Sequence, residues 1–250
     1  RAHNGIASDS TGNRLAVISN SGSRGVYVSA DRGVTWTQAP IGIGNSYTWY
    51  TITMSPDGRY INAFSSYIGF VHFSSDFGAS WTAVAHPCQA LKTNGNYLVQ
   101  SAYASTYTGQ YVYASMPYEA CTMRSSDYGA SWSQMTSLGF LGTGTAQACS
   151  GDGSRVVVLR NGNRDVAYST NYGVTWTTFT NLPAVSKARA MYTLIMDTTG
   201  MNIVVSDADN KVVFGTKDGG TSWSWITPAA PAITFILNSM VGSYNDARYL

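Results

Sequence analysis

Ser29-Ala30-Asp31-Arg32-Gly33-Val34-Thr35-Trp36 is the first of five copies of one eight-residue pattern, Ser/Thr-x-Asp-x-Gly-x-Ser/Thr-Trp. The others run Ser74 to Trp81, Ser125 to Trp132, Ser169 to Trp176 and Thr216 to Trp223. Trp36, Trp81, Trp132, Trp176 and Trp223 are therefore spaced 45, 51, 44 and 47 residues apart, a period that fits one four-stranded antiparallel unit per repeat. The residue types suit a tight turn. An Asp side chain can accept hydrogen bonds from amides in its own turn, and a Gly can take positive φ without steric cost. The tryptophan is then placed to pack between neighbouring sheets. The structural set is Asp31, Gly33 and Trp36; Asp76, Gly78 and Trp81; Asp127, Gly129 and Trp132; Asn171, Gly173 and Trp176; and Asp218, Gly220 and Trp223. Asn171 keeps an acceptor but loses the charge.

Outward from each copy, a second signal repeats upstream, where an apolar stretch breaks at a turn and resumes. These turns contain Thr11-Gly12-Asn13, Pro56-Asp57-Gly58, Asn94-Gly95, Asp152-Gly153 and Thr199-Gly200, and each reads as a hairpin. Short apolar runs follow, such as Leu15-Ala16-Val17-Ile18 and Val156-Val157-Val158-Leu159, suited to strands buried on both faces. A third strand leads into each eight-residue copy and a fourth starts at its tryptophan. No segment has a helical period. The expectation is an all-β protein, a β-propeller of four-stranded antiparallel blades. One domain is expected over 1–250, with repeats at 4–40, 41–86, 87–137, 138–182 and 183–228. Asn245 to Leu250 matches Pro56 to Ile61, so a partial sixth repeat or an accessory strand is expected over 232–250, as in a chain cut from a longer propeller.

The five turns resemble the Asp-boxes of BNR-repeat, sialidase-like propellers, and the resemblance covers nearly the whole chain. It implies that these turns and the hairpins between first and second strands share one face. Ligand sites then lie opposite, on the loops between second and third strands and on the links between blades. Those segments contribute Trp49 and Tyr50, Tyr118 and Glu119, Arg164 and Arg189, the candidate ligand-binding set. The third repeat is the longest, and its extra length is expected at Ser115 to Glu119, where a working face would gain an insertion. A sialidase-like enzyme needs an arginine cluster, a Tyr/Glu nucleophile pair and an acid. Here Glu119 is the only glutamate, it adjoins Tyr118 so that the two would point to opposite sides of a strand, and no Arg-Ile-Pro motif precedes the first turn. No catalytic residue is assigned.

Charged residues make up 11% of the chain, against about 25% in an average soluble domain, and Ser, Thr, Asn, Gly and 17 tyrosines supply the polar surface. A net charge of +2 without a basic cluster argues against nucleic acid, and no apolar run approaches a membrane span. Cys88, Cys121 and Cys149 fit no zinc spacing; Cys88 and Cys121 suit one disulfide in an oxidising compartment, and three buried small hydrophobes are the alternative. Asp207-Ala208-Asp209-Asn210 begins like a calcium loop but lacks its downstream glycine and acid. No metal and no cofactor is expected. The residues thus describe a non-catalytic extracellular or cell-surface propeller presenting a polar, aromatic face to a glycan or protein partner, or to homo- or hetero-assembly. The alternatives are a propeller glycoside hydrolase and a subunit of a larger filament or appendage.

Overall fold

The computed structural model describes residues 5–42, 48–65, 70–88, 102–106, 108–116, 121–136, 144–160, 166–183, 191–207 and 212–226. Among them are five four-stranded sheets, each an antiparallel meander taken from consecutive strands. The first holds β1 (Gly5–Ser8), β2 (Leu15–Ser19), β3 (Gly25–Ser29) and β4 (Thr37–Gln38). The second holds β5 (Trp49–Met54), β6 (Ile61–Ser65), β7 (Phe70–Ser74) and β8 (Thr82–Ala85). The third holds β9 (Ala102–Ser105), β10 (Val112–Met116), β11 (Cys121–Ser125) and β12 (Ser133–Gln134). The fourth holds β13 (Gly144–Cys149), β14 (Val156–Arg160), β15 (Val166–Ser169) and β16 (Thr177–Thr178). The fifth holds β17 (Met191–Met196), β18 (Ile203–Asp207), β19 (Val212–Thr216) and β20 (Ser224–Trp225). No helix among the described residues is long and apolar enough to cross a membrane.

Each eight-residue turn joins a third strand to a fourth and closes the same way. In the first, the Ser29 hydroxyl donates to Asp31 Oδ1 at 2.8 Å and accepts from the Gly33 amide at 2.8 Å. The Thr35 amide donates to Asp31 Oδ1 at 2.8 Å and its hydroxyl to Oδ2 at 2.5 Å. Glycine carries positive φ as expected, but so does the residue before it: Arg32 60°, Phe77 63°, Tyr128 65°, Tyr172 60° and Gly219 69°. Two successive left-handed residues reverse the chain. Four of those five have a Cβ, so the turn stores strain that its hydrogen bonds must offset.

The chain forms two compact units, one of Arg1–Gln100, Tyr107–Val112 and Met123–Gln134, the other of Ser101–Thr106, Tyr113–Thr122 and Met135–Leu250. In the first unit, β5 packs on β1 and β2. Alternate residues of each buried strand face opposite ways: Ala16 and Ile18 from the first sheet meet Ile52, Ile61 and Ala63 of the second. In the second unit β17 packs on β13, and Val157 and Leu159 meet Leu194, Ile203 and Val205 in the same register. The turn glycines tighten these junctions. A Cβ on Gly78 would stand 2.7 Å from Val28, one on Gly173 2.7 Å from Met135 Sδ, and ones on Gly129 and Gly220 would overlap Asn62 and Phe179. In each case the obstacle belongs to the preceding sheet.

One expectation about the third repeat is corrected. The turn between its first two strands is Thr108-Gly109-Gln110, with Gly109 at φ 75°, and Asn94-Gly95 lies outside the described residues. Only residues 117–120 separate β10 from β11, whereas 16 residues separate β8 from β9. The extra length therefore falls in the link to the third sheet and not at Ser115 to Glu119. Gly109 occupies the same place as Gly58 and Gly153, packing against Ser55 of the preceding sheet.

Candidate functional site

At the loop end of the first two sheets, Trp49 opens β5. Asn20, in the loop after β2, fastens it by a reciprocal pair of bonds: the Trp49 amide donates to Asn20 Oδ1 at 2.7 Å, and Asn20 Nδ2 donates to the Trp49 carbonyl at 2.8 Å. Its ring is turned inward, 3% exposed, and meets His72 edge-on at 5.4 Å. Stacking on a ligand is thus closed to Trp49, a correction to the expected ligand set. The cause is a bulge. Trp49 pairs with Ser65 but Thr51 with Phe64, so Tyr50 is an extra residue in the ladder and Trp49 and Ile52, three apart, both reach the core. Tyr50 itself is half-buried at the loop end. The same slip recurs at Thr145 in β13 and Tyr192 in β17. Of the remaining candidates, Tyr118, Glu119, Arg164 and Arg189 lie outside the described residues.

The carboxylates whose surroundings are described are engaged at the opposite, turn end. Hydrogen bonds from the Thr35 hydroxyl and amide, then from Ser29, hold Asp31 down at about 2. Asp76 and Asp218 are lowered by the matching bonds from Ser80 and Ser222. Burial works against ionisation of Asp127 and Asp197, yet bonds from Ser131 and Ser125, and from Asn202 and Thr199, leave both below the ordinary value. Asp9 and Asp57 accept from Thr11 and Ser55 in the first hairpins. Asp31, Asp76, Asp127, Asp197 and Asp218, so lowered, act as turn fasteners and hold no proton to donate near neutral pH.

The tryptophan indoles follow the turns in four sheets, donating to the turn-glycine carbonyl at 2.9 Å from Trp36 and Trp81, 3.1 Å from Trp132 and 3.0 Å from Trp176. Trp223 departs from this. Its Nε1 is buried without a partner, while Asn181 Nδ2 donates to the Gly220 and Thr221 carbonyls at 3.2 and 2.7 Å. Cys88 and Cys121 are disulfide-bonded. Cys149 keeps its thiol, which burial, with the Asp152 charge adding, pushes up to about 12. Among the described residues, no group of three or more His, Cys, Asp and Glu could hold a metal ion.

Sequence reading missed a second feature of the turn end. The residue before β2, β6 and β14 lies against the left-handed residue of the next turn: the Arg14 guanidinium sits 3.8 Å from the centre of the Phe77 ring, and Tyr60 stacks on Tyr128 at 3.9 Å. Arg155 reaches over Gly219, where a Cβ would stand 2.7 Å from its Nη1. The signal was present as a repeated Arg or Tyr just ahead of the apolar run, but only the fold gives it a partner.

No family model matches the chain, and no curated protein matches it in sequence. Solved structures do match in fold. A GH74 enzyme from Niastella koreensis superimposes over 90% of this chain and 31% of its own, at 22% identity and a TM-score of 0.62. A GH74 xyloglucanase from Xanthomonas campestris covers 90% of this chain and 38% of its own, at 14% identity and a TM-score of 0.64. YCF48 bound to a D1 peptide covers 90% and 66%, at 15% identity and a TM-score of 0.59. The chain thus spans about a third of the length of these GH74 enzymes and about two thirds of the YCF48 chain. Identities this low establish the fold alone, and with the five antiparallel meanders that fold is the β-propeller.

Proposed function

We propose that this is a non-catalytic, extracellular Asp-box propeller that binds a glycan or protein partner through the loop ends of its sheets. The observation that carries this reading is the placement of Tyr50 on the second sheet. Asp57 and Asp76 of that sheet are fastened into turns at one end, while Tyr50, set out by its bulge and backed by the Asn20–Trp49 clamp, stands at the other. A rigid half-buried tyrosine offers a flat apolar ring with a polar tip, the kind of group that meets sugar rings and protein surfaces at low entropic cost. Disulfide-bonded Cys88 and Cys121 favour an oxidising compartment. Among similar folds, one structure is of YCF48 bound to a D1 peptide and another is of a nidogen/laminin complex, which is in keeping with a protein partner.

The GH74 neighbours favour a second reading, glycoside hydrolysis with Glu119 as one of the two carboxyl groups. One set of assays separates the two. The purified protein is tested on glycan and extracellular-protein arrays, then incubated with xyloglucan and related polysaccharides while reducing ends are measured. Saturable binding, weakened about tenfold or more by Tyr50→Ala, with no reducing ends released, is the expected result. Turnover that disappears in Glu119→Gln would overturn it.

A further inference from the structure

We infer that the joint between the third and fourth sheets is a hinge built into the fold, fastened at the turn end and able to part at the loop end, where a buried polar trio stands in for the apolar side chains that seal other joints. The inference is independent of the ligand reading above, and either can fail alone.

Ser115, Thr122 and Gln147 form the trio, and all three are buried. The Ser115 hydroxyl donates to Gln147 Oε1 at 3.1 Å and lies 3.4 Å from the Thr122 hydroxyl. Register gives each residue its counterparts. Gln147 pairs with Val158 as Ile52 does with Ala63 and Leu194 with Val205. Ser115 is the fourth residue of its second strand, like Ile18 and Leu159, whose partners Val26 and Val166 stand where Thr122 does. Ile18, Val26 and Ile52 belong to the apolar cluster that closes the joint of the first and second sheets, and Leu159, Val166 and Leu194 to that of the fourth and fifth. The same three places are polar here. Burying apolar surface gives packed sheets most of their adhesion, whereas hydrogen bonds of this kind largely exchange one set of partners for another in water. Parting at the trio therefore costs less than parting at its counterparts.

The turn end of the same joint is fastened. The Tyr113 ring is fully buried, and its hydroxyl donates to the Gly153 carbonyl at 2.9 Å, in the first hairpin of the fourth sheet. A Cβ on Gly173 would stand 2.7 Å from Met135 Sδ and 3.6 Å from the Tyr113 ring, so side chains of the third sheet are seated on the fourth turn. Tightly packed at one end and polar at the other, the joint opens like a fan. The end it opens is the one where the chain leaves β10 and returns as β11. Cys149 lies on the same face of β13 as Gln147, paired with Val156, at the place that Met54 and Met196 hold in the other two joints. Of the three cysteines it alone keeps a thiol, and it therefore reports the parting.

Reaction of the native protein with N-ethylmaleimide tests this. The rate at Cys149 is compared with the rates of Met54→Cys and Met196→Cys, each made in a Cys149→Ser background, since all three places are half-buried. Cys149 is expected to react about tenfold faster than either, or more, with little change in low urea, as a local opening does. Burial makes its thiol hold the proton, which slows labelling, so a faster rate there measures access. A triple variant, Ser115→Ile, Thr122→Val and Gln147→Leu, restores the apolar set and is expected to slow Cys149 labelling by about tenfold or more. Should that variant not fold, the comparison of the three sites still decides. Equal rates at the three sites overturn the inference, and so does a Cys149 rate that the folded triple variant leaves unchanged.

Discussion

Asp127 accepts hydrogen bonds from the Ser125 hydroxyl at 2.7 Å and from the Ser131 amide and hydroxyl at 2.8 and 2.6 Å. Asn171 shows which part of this matters. Its Oδ1 accepts from the Ser169 hydroxyl and the Thr175 amide, and its Nδ2 donates to the Thr175 hydroxyl at 2.8 Å, so the turn closes without charge. Asp127→Asn is therefore expected to cost under about 1 kcal/mol. Asp127→Ala strands three donors and leaves the left-handed Tyr128 unsupported, and is expected to cost about 2–3 kcal/mol. Urea unfolding of the two variants checks the order; equal losses would mean that charge, and not the acceptor, holds the turn. The roles of Asp and Gly in closing the turn were legible because there both act inside their own eight residues. The left-handed conformation of Arg32, Phe77, Tyr128 and Tyr172 was not, since nothing in those side chains favours it and the turn imposes it.

Between elements, the glycines carry information that the local pattern does not. Gly129 sits at φ +105° with Asn62 against it, while Gly33 sits at φ +84° beside flexible side chains of its own repeat. Gly129→Ala is expected to cost about 3 kcal/mol or more, from strain and overlap together, and Gly33→Ala about 1 kcal/mol from strain alone. Thermal unfolding of both variants measures the difference, and equal losses would argue that the sheet-to-sheet contact adds nothing. Strand order and pairing could be anticipated from short apolar runs and turn residues. Two placements could not. Asn94-Gly95 is the stronger hairpin signal in the third repeat, yet Thr108-Gly109 makes the turn because the neighbouring sheet fits it there. Trp49 stood among the ligand candidates through its place in the link to the second sheet, and the bulge that turns it inward leaves no mark in the residues that form it.

For the molecule as a whole, acid should act in two stages. Burial lowers His72 and His86 to about 4 from an ordinary value near 6.5. Between those limits the unfolded chain binds protons that the folded chain refuses, so stability is complete above about pH 6.5 and falls as the pH drops toward 4. The loss is at most about 3 kcal/mol per histidine, and below 4 it grows no further. A second decline begins under the ordinary Asp value of 3.8, as Asp31 and its counterparts lose the hydrogen-bonded charge that keeps them low. Urea midpoints measured from pH 8 to pH 3 should show a plateau, a slope and a further slope. A flat profile from 6.5 to 4 would mean that both imidazoles already reach water.

The extra residue at Tyr50, Thr145 and Tyr192 gives each of these first strands two reading frames. In β5, from the turn end up to Thr51, inward and outward positions alternate in one phase; at Trp49, beyond the slip, the phase is inverted. An engineer who randomised every second residue of β5 in a single frame would vary the surface at one end and strike Trp49 at the other. Loop-end diversity is better encoded from the slip outward, in a frame of its own, leaving the frame of the core intact.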